Sequence, residues 1–336
     1  MLYPLAKSLL FQMDAEQAHT LSLKALTRAA RCGLVQPGKA QVVLPRTIMG
    51  LSFPNPLGIA AGMDKNAEYL DGLGALGVGF VEVGTVTPRP QPGNPKPRVF
   101  RLPEVEGVIN RLGFNNDGID HLLGQVSRTR YQGILGINIG KNFDTPMENA
   151  LDDYVNALRR VYSHAHYVTV NISSPNTRNL RELQGSDELN RLLTAIKNTQ
   201  RELADRSGRY VPIVLKIAPD LETAQIESIA KLLIAHGMDG VIATNTTISR
   251  TVIAAHPLAH QTGGLSGAPL HEMSLAVVQT LARALDGALP IIGVGGINSA
   301  ARAKAMLEAG ASLIQLYTGM IYKGPGLIGE ILQGLA

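Results

Sequence analysis

The chain has 336 residues, 45% of them hydrophobic and 17% charged, enough for a large core in one or two domains. A single cysteine, Cys32, excludes an intrachain disulfide and a zinc or iron–sulfur site built on this chain's cysteines, and the lack of Trp with only 4% aromatics argues against a base-stacking nucleic-acid surface. The net charge of +4 resides entirely in residues 1–50, where Lys7, Lys24, Arg28, Arg31, Lys39 and Arg46 outnumber Asp14 and Glu16, so a basic N-terminal segment on a neutral body points to an anionic surface, a membrane ahead of nucleic acid.

No apolar run approaches the roughly 20 residues that span a bilayer, and the first residues lack the charge, apolar block and cleavage order of a signal peptide. Pro4 opens a short helix with Leu5, Ala6, Leu9, Leu10 and Met13 on one side. Asp14 followed by Gln17 is a capping-box pattern for a second helix. In it Ala18, Leu21, Ala25, Leu26 and Ala29 repeat at helical spacing, Lys24, Arg28 and Arg31 lie opposite, and Gly33 is the stop. Cys32 reads as a small packing residue. Two readings of this pair, residues 1–40, stand side by side: helices packed on the body, or an amphipathic pair lying on a membrane.

After Pro45 the stretch Thr47–Phe53 alternates like a short hairpin. Eight apolar runs then recur: Leu57–Ala60, Phe80–Val83, Ile134–Ile137, Tyr167–Val170, Pro212–Ile217, Val241–Ala243, Ile291–Val294 and Leu313–Leu316. Helical segments such as Ser186–Arg206, Thr223–His236, Met273–Leu285 and Ala300–Ala309 separate them. Strand–helix alternation implies a parallel sheet, and eight units predict a closed (β/α)8 TIM barrel over residues 41–336 with an N-terminal helical extension; a doubly wound sheet is the structural alternative.

Polar residues and glycines collect where these runs end, which in a barrel is the active-site mouth. The stretch 85–132, between the second and third runs, carries Asn110-Arg-Leu-Gly-Phe-Asn-Asn116, and its length predicts a functional loop such as a lid. Gly293-Val-Gly-Gly296 and Tyr317-Thr-Gly319 follow the last two runs, the frequent phosphate position of this fold, and Gly263-Gly-Leu-Ser-Gly267 offers further backbone donors. Lys65, Lys141 and Lys216 stand at or just beyond strand ends. Lys216, set among Val214, Leu215 and Ile217, resists the plain reading of a surface charge; it suits stabilisation of negative charge on a cofactor or intermediate, or a Schiff base. Asn110, Asn115, Asn138, Asn171, Asn176 and Asn245 are each ordinary turn residues alone, but together they suit a ligand with amide and carbonyl groups. Asn171-Ile-Ser-Ser-Pro-Asn-Thr177 places two carboxamides and three hydroxyls directly after the alternating run His166–Val170, a polar load no core carries unpaired. The eight histidines are scattered and form no metal-ligand constellation.

Together these segments closely resemble the quinone-linked, class 2 dihydroorotate dehydrogenases, over essentially the whole chain. The resemblance rests on Asn55-Pro-Leu-Gly-Ile-Ala-Ala-Gly-Met-Asp-Lys65, Gly84-Thr-Val-Thr-Pro-Arg-Pro-Gln-Pro-Gly93, Asn110–Asn116, Asn171–Thr177, Gly263–Gly267 and Ile292-Gly-Val-Gly-Gly296. It implies oxidation of dihydroorotate to orotate with one bound FMN, in pyrimidine biosynthesis. It implies FMN contacts from Ala61, Gly62, Lys65, Thr85, Asn138 and Asn171 on the early strands, and from Lys216, Thr244, Gly267, Gly296, Tyr317 and Thr318 on the later ones. Substrate would rest against Lys65, Asn110, Gly113, Phe114, Asn171, Asn176, Asn245 and Thr246, with Arg111 and Leu112 in the same loop.

The resemblance makes Ser174, rather than Ser173, the base that removes a ring proton while hydride passes to the flavin. A serine hydroxyl has no useful basicity near neutral pH, so this role needs a desolvated pocket, closed by Phe114, and a proton outlet through Thr177 and a water. Soluble relatives of the family use cysteine at the base position; serine here, with the N-terminal extension, points to the quinone-using class. The helical pair would then form the mouth of an apolar channel from the bilayer, with Arg101 and His19 as polar contacts to the quinone head. The implied location is peripheral, on the cytoplasmic face of the inner membrane. Two other readings remain: a related FMN enzyme acting on another dihydropyrimidine with a soluble acceptor, and a cofactor-free phosphate-sugar isomerase or aldolase using Lys216. A non-catalytic binding barrel ranks last, because Ser174, Lys65 and Lys216 crowd the mouth.

Overall fold

The computed structural model describes residues 2–35, 43–177 and 179–336. The eight apolar runs form eight parallel strands, Leu57–Ile59, Phe80–Val86, Ile134–Ile139, Tyr167–Asn171, Ile213–Ile217, Gly240–Ala243, Ile291–Val294 and Leu313–Leu316. Each pairs with the next, and the eighth closes on the first with Ile314 opposite Leu57. Closure removes the sheet edges and with them the doubly wound alternative. Helices Ser186–Ser207, Thr223–His236, His271–Leu285 and Ala300–Glu308 cover the outside within a residue or two of their expected bounds.

Side chains alternate across each strand, so every second residue enters the barrel. Phe80, Tyr167, Val214, Ile242, Ile292 and Leu313 fill its floor together with Phe53, which the hairpin Arg46–Ile48/Leu51–Phe53 brings underneath. Phe53, Phe80 and Tyr167 meet edge to face at centroid distances of 5.3 and 6.3 Å. Glycine makes this possible: a Cβ on Gly58 would come 2.4 Å from the Phe80 ring, and one on Gly136 2.2 Å from Tyr167. Removing a ring this well packed costs about 3–5 kcal/mol. Two residues further along the same strands the inward positions turn polar, with Glu82, Asn138, Thr169, Lys216 and Gln315 all buried. The floor is apolar, the middle is polar, and the mouth lies beyond.

The stretch 85–132 is not the bare lid its length suggested. Val99–Leu102 and Gly107–Asn110 pair antiparallel, and Gly264–Gly267 joins as the third strand, opposite Gly107–Asn110; helix Gly118–Val126 follows. The glycine cluster is therefore a strand whose backbone is largely engaged in pairing, although Ser266 and Gly267 still border the mouth. Its partner lies some 150 residues away, beyond the reach of local periodicity.

Two helices precede the barrel, α1 (Leu2–Leu10) and α2 (Ala15–Arg31). Half of the expected capping box forms: Asp14 Oδ1 accepts the N–H groups of Glu16 and Gln17, without the reciprocal Gln17 side-chain bond among the described residues, and Gly33 turns left-handed at φ 71°. The buried side of α2 is not the expected stripe. Ala18, Leu23 and Thr27 are buried, while Leu21 and Ala25 are exposed. Close approach decides this: α2 lies against helix Leu70–Gly74, and a Cβ on Gly72 would sit 2.6 Å from Thr27 Oγ1. Cys32 is exposed rather than packed, because it falls beyond the last buried turn. The 40/41 domain boundary, Lys39 and the Leu5 side chain lie outside the described residues. Among the described residues no helix is long and apolar enough to cross a membrane.

Candidate active site

One cavity opens at the C-terminal ends of the barrel strands. Ala61, Gly62 and Lys65 reach it after the first strand, Thr85 from the second, Asn171 and Ser174 from the fourth, and Lys216 from the fifth. Thr244, Asn245 and Thr246 follow the sixth strand, Gly295 and Gly296 the seventh, and Tyr317 and Thr318 the eighth. Asn110, Leu112, Gly113 and Phe114, just past the antiparallel sheet, border the same space. At the last two strands the backbone comes close. Gly296 has φ 63°, and a Cβ there would lie 2.7 Å from His271 Cβ. Its N–H has no acceptor among the described residues, and at the start of the short helix Thr318–Lys323 beside it the same holds for the N–H groups of Thr318 and Gly319, while Met320 N–H donates to Tyr317 O at 3.1 Å.

The base loop separates its two serines. Ser173 Oγ donates to Asn171 Oδ1 at 3.0 Å and accepts from Asn245 Nδ2 at 3.0 Å, so its hydroxyl is engaged. Ser174 Oγ accepts the Asn176 N–H at 3.2 Å and borders the cavity, and its proton has no acceptor among the described residues. Arg181 holds the loop in place. Its Nε donates to Ser173 O at 3.0 Å, Nη2 to Thr246 O at 2.8 Å and Nη1 to Asp220 Oδ2 at 2.7 Å. Asp220 also receives the Thr247 hydroxyl and the Ile248 N–H. One guanidinium thus ties together the loops after strands four, five and six. Thr177 Oγ1 is buried with no hydrogen bond among the described residues.

Beneath the mouth the fully buried Glu82 carboxylate accepts Asn138 Nδ2, Tyr167 OH and Gln315 Nε2, each at 2.8 Å. Asn138 Oδ1 accepts Thr85 Oγ1 at 2.6 Å, and Thr85 Oγ1 accepts Asn171 Nδ2 at 2.9 Å. A continuous chain therefore runs from Asn171 to Glu82 and fixes the Asn171 amide. Burial lowers the Lys216 pKa while the Glu82 charge opposes the shift, and Lys216 has no hydrogen-bond partner among the described residues. A buried charge left in this way costs several kcal/mol unless a partner offsets it, so Lys216 is waiting for one. Burial also draws Lys65 down to about 8, with Glu16 opposing and Arg98 assisting. His19 donates Nε2–H to Met63 O at 2.8 Å, and burial followed by the Lys65 charge keeps it neutral, near 4.

All the expected FMN contacts border the cavity except Asn138, which stands behind Thr85. All the expected substrate contacts border it except Arg111, whose guanidinium turns outward to Gln261 Oε1 and Pro97 O, both at 2.9 Å, and lies over the Phe100 ring. Lys141 leaves the mouth and donates to Asn142 O and Thr145 O. Arg101 and His19, expected at a quinone head, have their polar atoms engaged within the protein, Arg101 on Leu10 O at 3.0 Å and on Met13 O. Glu82, Gln315, Arg181 and Asp220 were not foreseen. A glutamate inside an apolar run was a usable signal for Glu82; the Arg181–Asp220 pair spans 39 residues and leaves no local trace. Among the described residues Glu68, Asp117 and His121 bring ligand-type atoms within 4.8 Å of one another, but none of the three borders the mouth.

Comparison with known proteins places this geometry. A family model described as "Dihydroorotate dehydrogenase" matches residues 43–336. A protein of Methylobacillus flagellatus named "Dihydroorotate dehydrogenase (quinone)" is 59% identical, with 100% of each chain covered. One of the same name from Thiobacillus denitrificans is 61% identical, again over 100% of both chains. Among solved structures, a crystal structure of DHODH from Eimeria tenella in complex with ferulenol superposes with a TM-score of 0.88 at 39% identity, covering 95% of this chain and 90% of that one.

Proposed function

The chain belongs to the dihydroorotate dehydrogenase family, in its quinone-dependent branch, and from that premise we propose that the barrel mouth is a composite FMN and dihydroorotate site with Ser174 as its base. The enzyme oxidises dihydroorotate to orotate in pyrimidine biosynthesis and uses a quinone as electron acceptor. The cofactor-free isomerase or aldolase reading is set aside.

The observation that carries the proposal is the partnerless Lys216 in a mouth otherwise lined by carboxamides. The residues fit one FMN per chain. The N–H groups of Gly296, Thr318 and Gly319, unengaged among the described residues, offer backbone donors for a phosphate, with Gly267 beside them. Lys65, Thr85, Asn171 and Lys216 offer donors for a flavin ring, with Ala61, Gly62, Thr244 and Tyr317 around it, and Asn138 holds Thr85 in place. Bound FMN supplies the two-electron acceptor for the ring hydrogen that leaves dihydroorotate.

Every other element belongs to the chain. Asn110, Asn176 and Asn245 match ring amides and carbonyls in both donor and acceptor sense, Thr246, Leu112 and Gly113 shape the same wall, and Lys65 faces the substrate carboxylate. Ser174 takes the ring proton. Its own proton leaves by way of Thr177 Oγ1, a buried hydroxyl without a partner among the described residues, and Phe114 keeps bulk water out. Arg111 stabilises the substrate loop from outside. Residues 1–40 serve the quinone: α1 and α2 rest on an anionic membrane surface, peripherally and on the cytoplasmic side.

The test is the spectrum of the purified full-length chain. It is expected to be yellow, with one FMN per chain, and to bleach when dihydroorotate is added without oxygen. A colourless protein that FMN does not restore overturns the proposal.

A further inference from the structure

The helical pair also touches the substrate loop, through an ion pair. Glu16, in the first turn of α2, receives Arg98 on two prongs, Nε to Oε1 and Nη2 to Oε2, both at 2.9 Å. Arg98 Nη1 donates to Pro92 O at 2.7 Å and to Asn94 O at 2.8 Å. The Arg98 side chain is 7% exposed and Glu16 20%, so the pair is largely desolvated. Burial alone would raise the Glu16 carboxyl; Arg98 outweighs this and holds it below the ordinary range. In the adjoining strand Arg101 reaches the opposite way, to Leu10 O and Met13 O at the turn between α1 and α2. Arg98, just before the strand Val99–Leu102, and Arg101 within it thus hold the helical pair and residues 92–94 as one body.

Asn94 connects that body to the mouth. Its N–H donates to Leu112 O at 3.1 Å, and its Nδ2 donates to Arg111 O at 2.9 Å and Asn176 O at 3.4 Å. Asn176 Nδ2 in turn donates to Asn110 Oδ1 at 3.2 Å. The contact is tight enough to admit no side chain on either face. A Cβ on Gly93 would lie 2.2 Å from Leu112 O, and one on Gly113 2.9 Å from Asn94 Nδ2.

We propose that Glu16 and Arg98 are positioning residues for the substrate: through Asn94 they fix Asn110, Gly113 and Asn176, so that the docking of the N-terminal helical pair sets the affinity for dihydroorotate and orotate. The inference rests on the reading of Asn110 and Asn176 as substrate contacts. Its physical basis is that a guanidinium cannot shed its charge. Without Glu16, a buried Arg98 is left uncompensated and must turn toward water, releasing Pro92 O and Asn94 O. The loop then samples orientations in which the two carboxamides no longer converge, and ligand binding must first select the competent one.

Orotate titrated into the full-length, FMN-loaded protein, followed by the flavin absorbance, tests this with two variants. Glu16→Gln is expected to raise the orotate Kd about five- to tenfold, the low end for coupling between sites. Flavin reduction at saturating dihydroorotate should stay within about twofold of wild type, because a misplaced loop that ligand can still reorder affects binding and not the chemistry. Thr20→Ala, an exposed change on the same helix, is expected to leave Kd unaltered. A merely structural role would lower Tm without this split between Kd and rate. An unchanged Kd in Glu16→Gln overturns the inference, as does a loss of rate at unchanged Kd. A wild-type protein whose flavin ignores both orotate and dihydroorotate overturns the functional reading itself.

Discussion

Among the described residues Lys216 in the barrel mouth and the buried Thr177 hydroxyl near it have no hydrogen-bond partner, whereas on the N-terminal helical segment Leu9, Leu21 and Leu34 stand 68, 50 and 79% exposed. The two regions differ in what they leave unmatched, although α2 also carries one orphaned buried hydroxyl, Thr27 Oγ1. A buried polar group without a partner is costly, and one that borders a cavity, as Lys216 does, is the kind a small polar ligand completes. Exposed leucines carry no such cost one by one; on the reading proposed above, those of the helical pair, with Lys24 and Arg28 also exposed, meet an apolar partner. The contrast teaches how one chain serves two unlike substrates. On the same reading, the mouth takes the charged pyrimidine and the helical pair serves the lipid-soluble quinone; the polar contacts of Arg98 and Arg101 join the two regions.

Three predictions probe the mouth side of this contrast. Ser174→Ala is expected to keep FMN and slow its reduction by dihydroorotate by about 10²–10⁴-fold, the usual contribution of a positioned base; an anaerobic stopped-flow trace decides it. The second concerns pH. Burial draws the Lys65 ammonium down to about 8, so it loses its charge as the pH rises through that value. An anionic ligand needs the charged form. The orotate Kd should therefore be flat below about pH 7 and weaken above about pH 8, approaching tenfold per pH unit. A flat profile up to pH 9 would remove Lys65 from the carboxylate site. The smallest effect is that of Thr177→Val, which keeps the volume and removes the hydroxyl. Flavin reduction should slow about fivefold, toward the weak end of proton-transfer catalysis, and an unchanged rate would close this proton route.

Much of this was legible in the residues. Each barrel strand overlaps an apolar run, because a buried parallel strand has no polar face to hide. The mouth was legible for the same reason: asparagines, glycines and lysines concentrate after the runs, with no equivalent concentration before them. The α2 stripe was misread, since Gly72 admits Thr27 more closely than any leucine and close approach outweighed hydrophobicity. The third strand of the antiparallel sheet was hidden, because its partner is distant in sequence. Ser173 and Ser174 were indistinguishable by chemistry alone; only the engagement of the Ser173 hydroxyl by Asn171 and Asn245 separates them.

Sequential mixing on vesicles tests the division of labour between the two regions most directly. Full-length protein is reduced anaerobically with dihydroorotate, then mixed with vesicles carrying a quinone, and compared with a Leu9→Gln/Leu21→Gln double variant. Both proteins are expected to bleach at the same rate with saturating dihydroorotate. The wild-type flavin should then regain its colour quickly, and the variant at least about tenfold more slowly, because two exposed leucines carry much of the apolar contact. Equal recovery in the two proteins, or recovery only with a water-soluble acceptor, would contradict the assignment of the quinone to the helical pair.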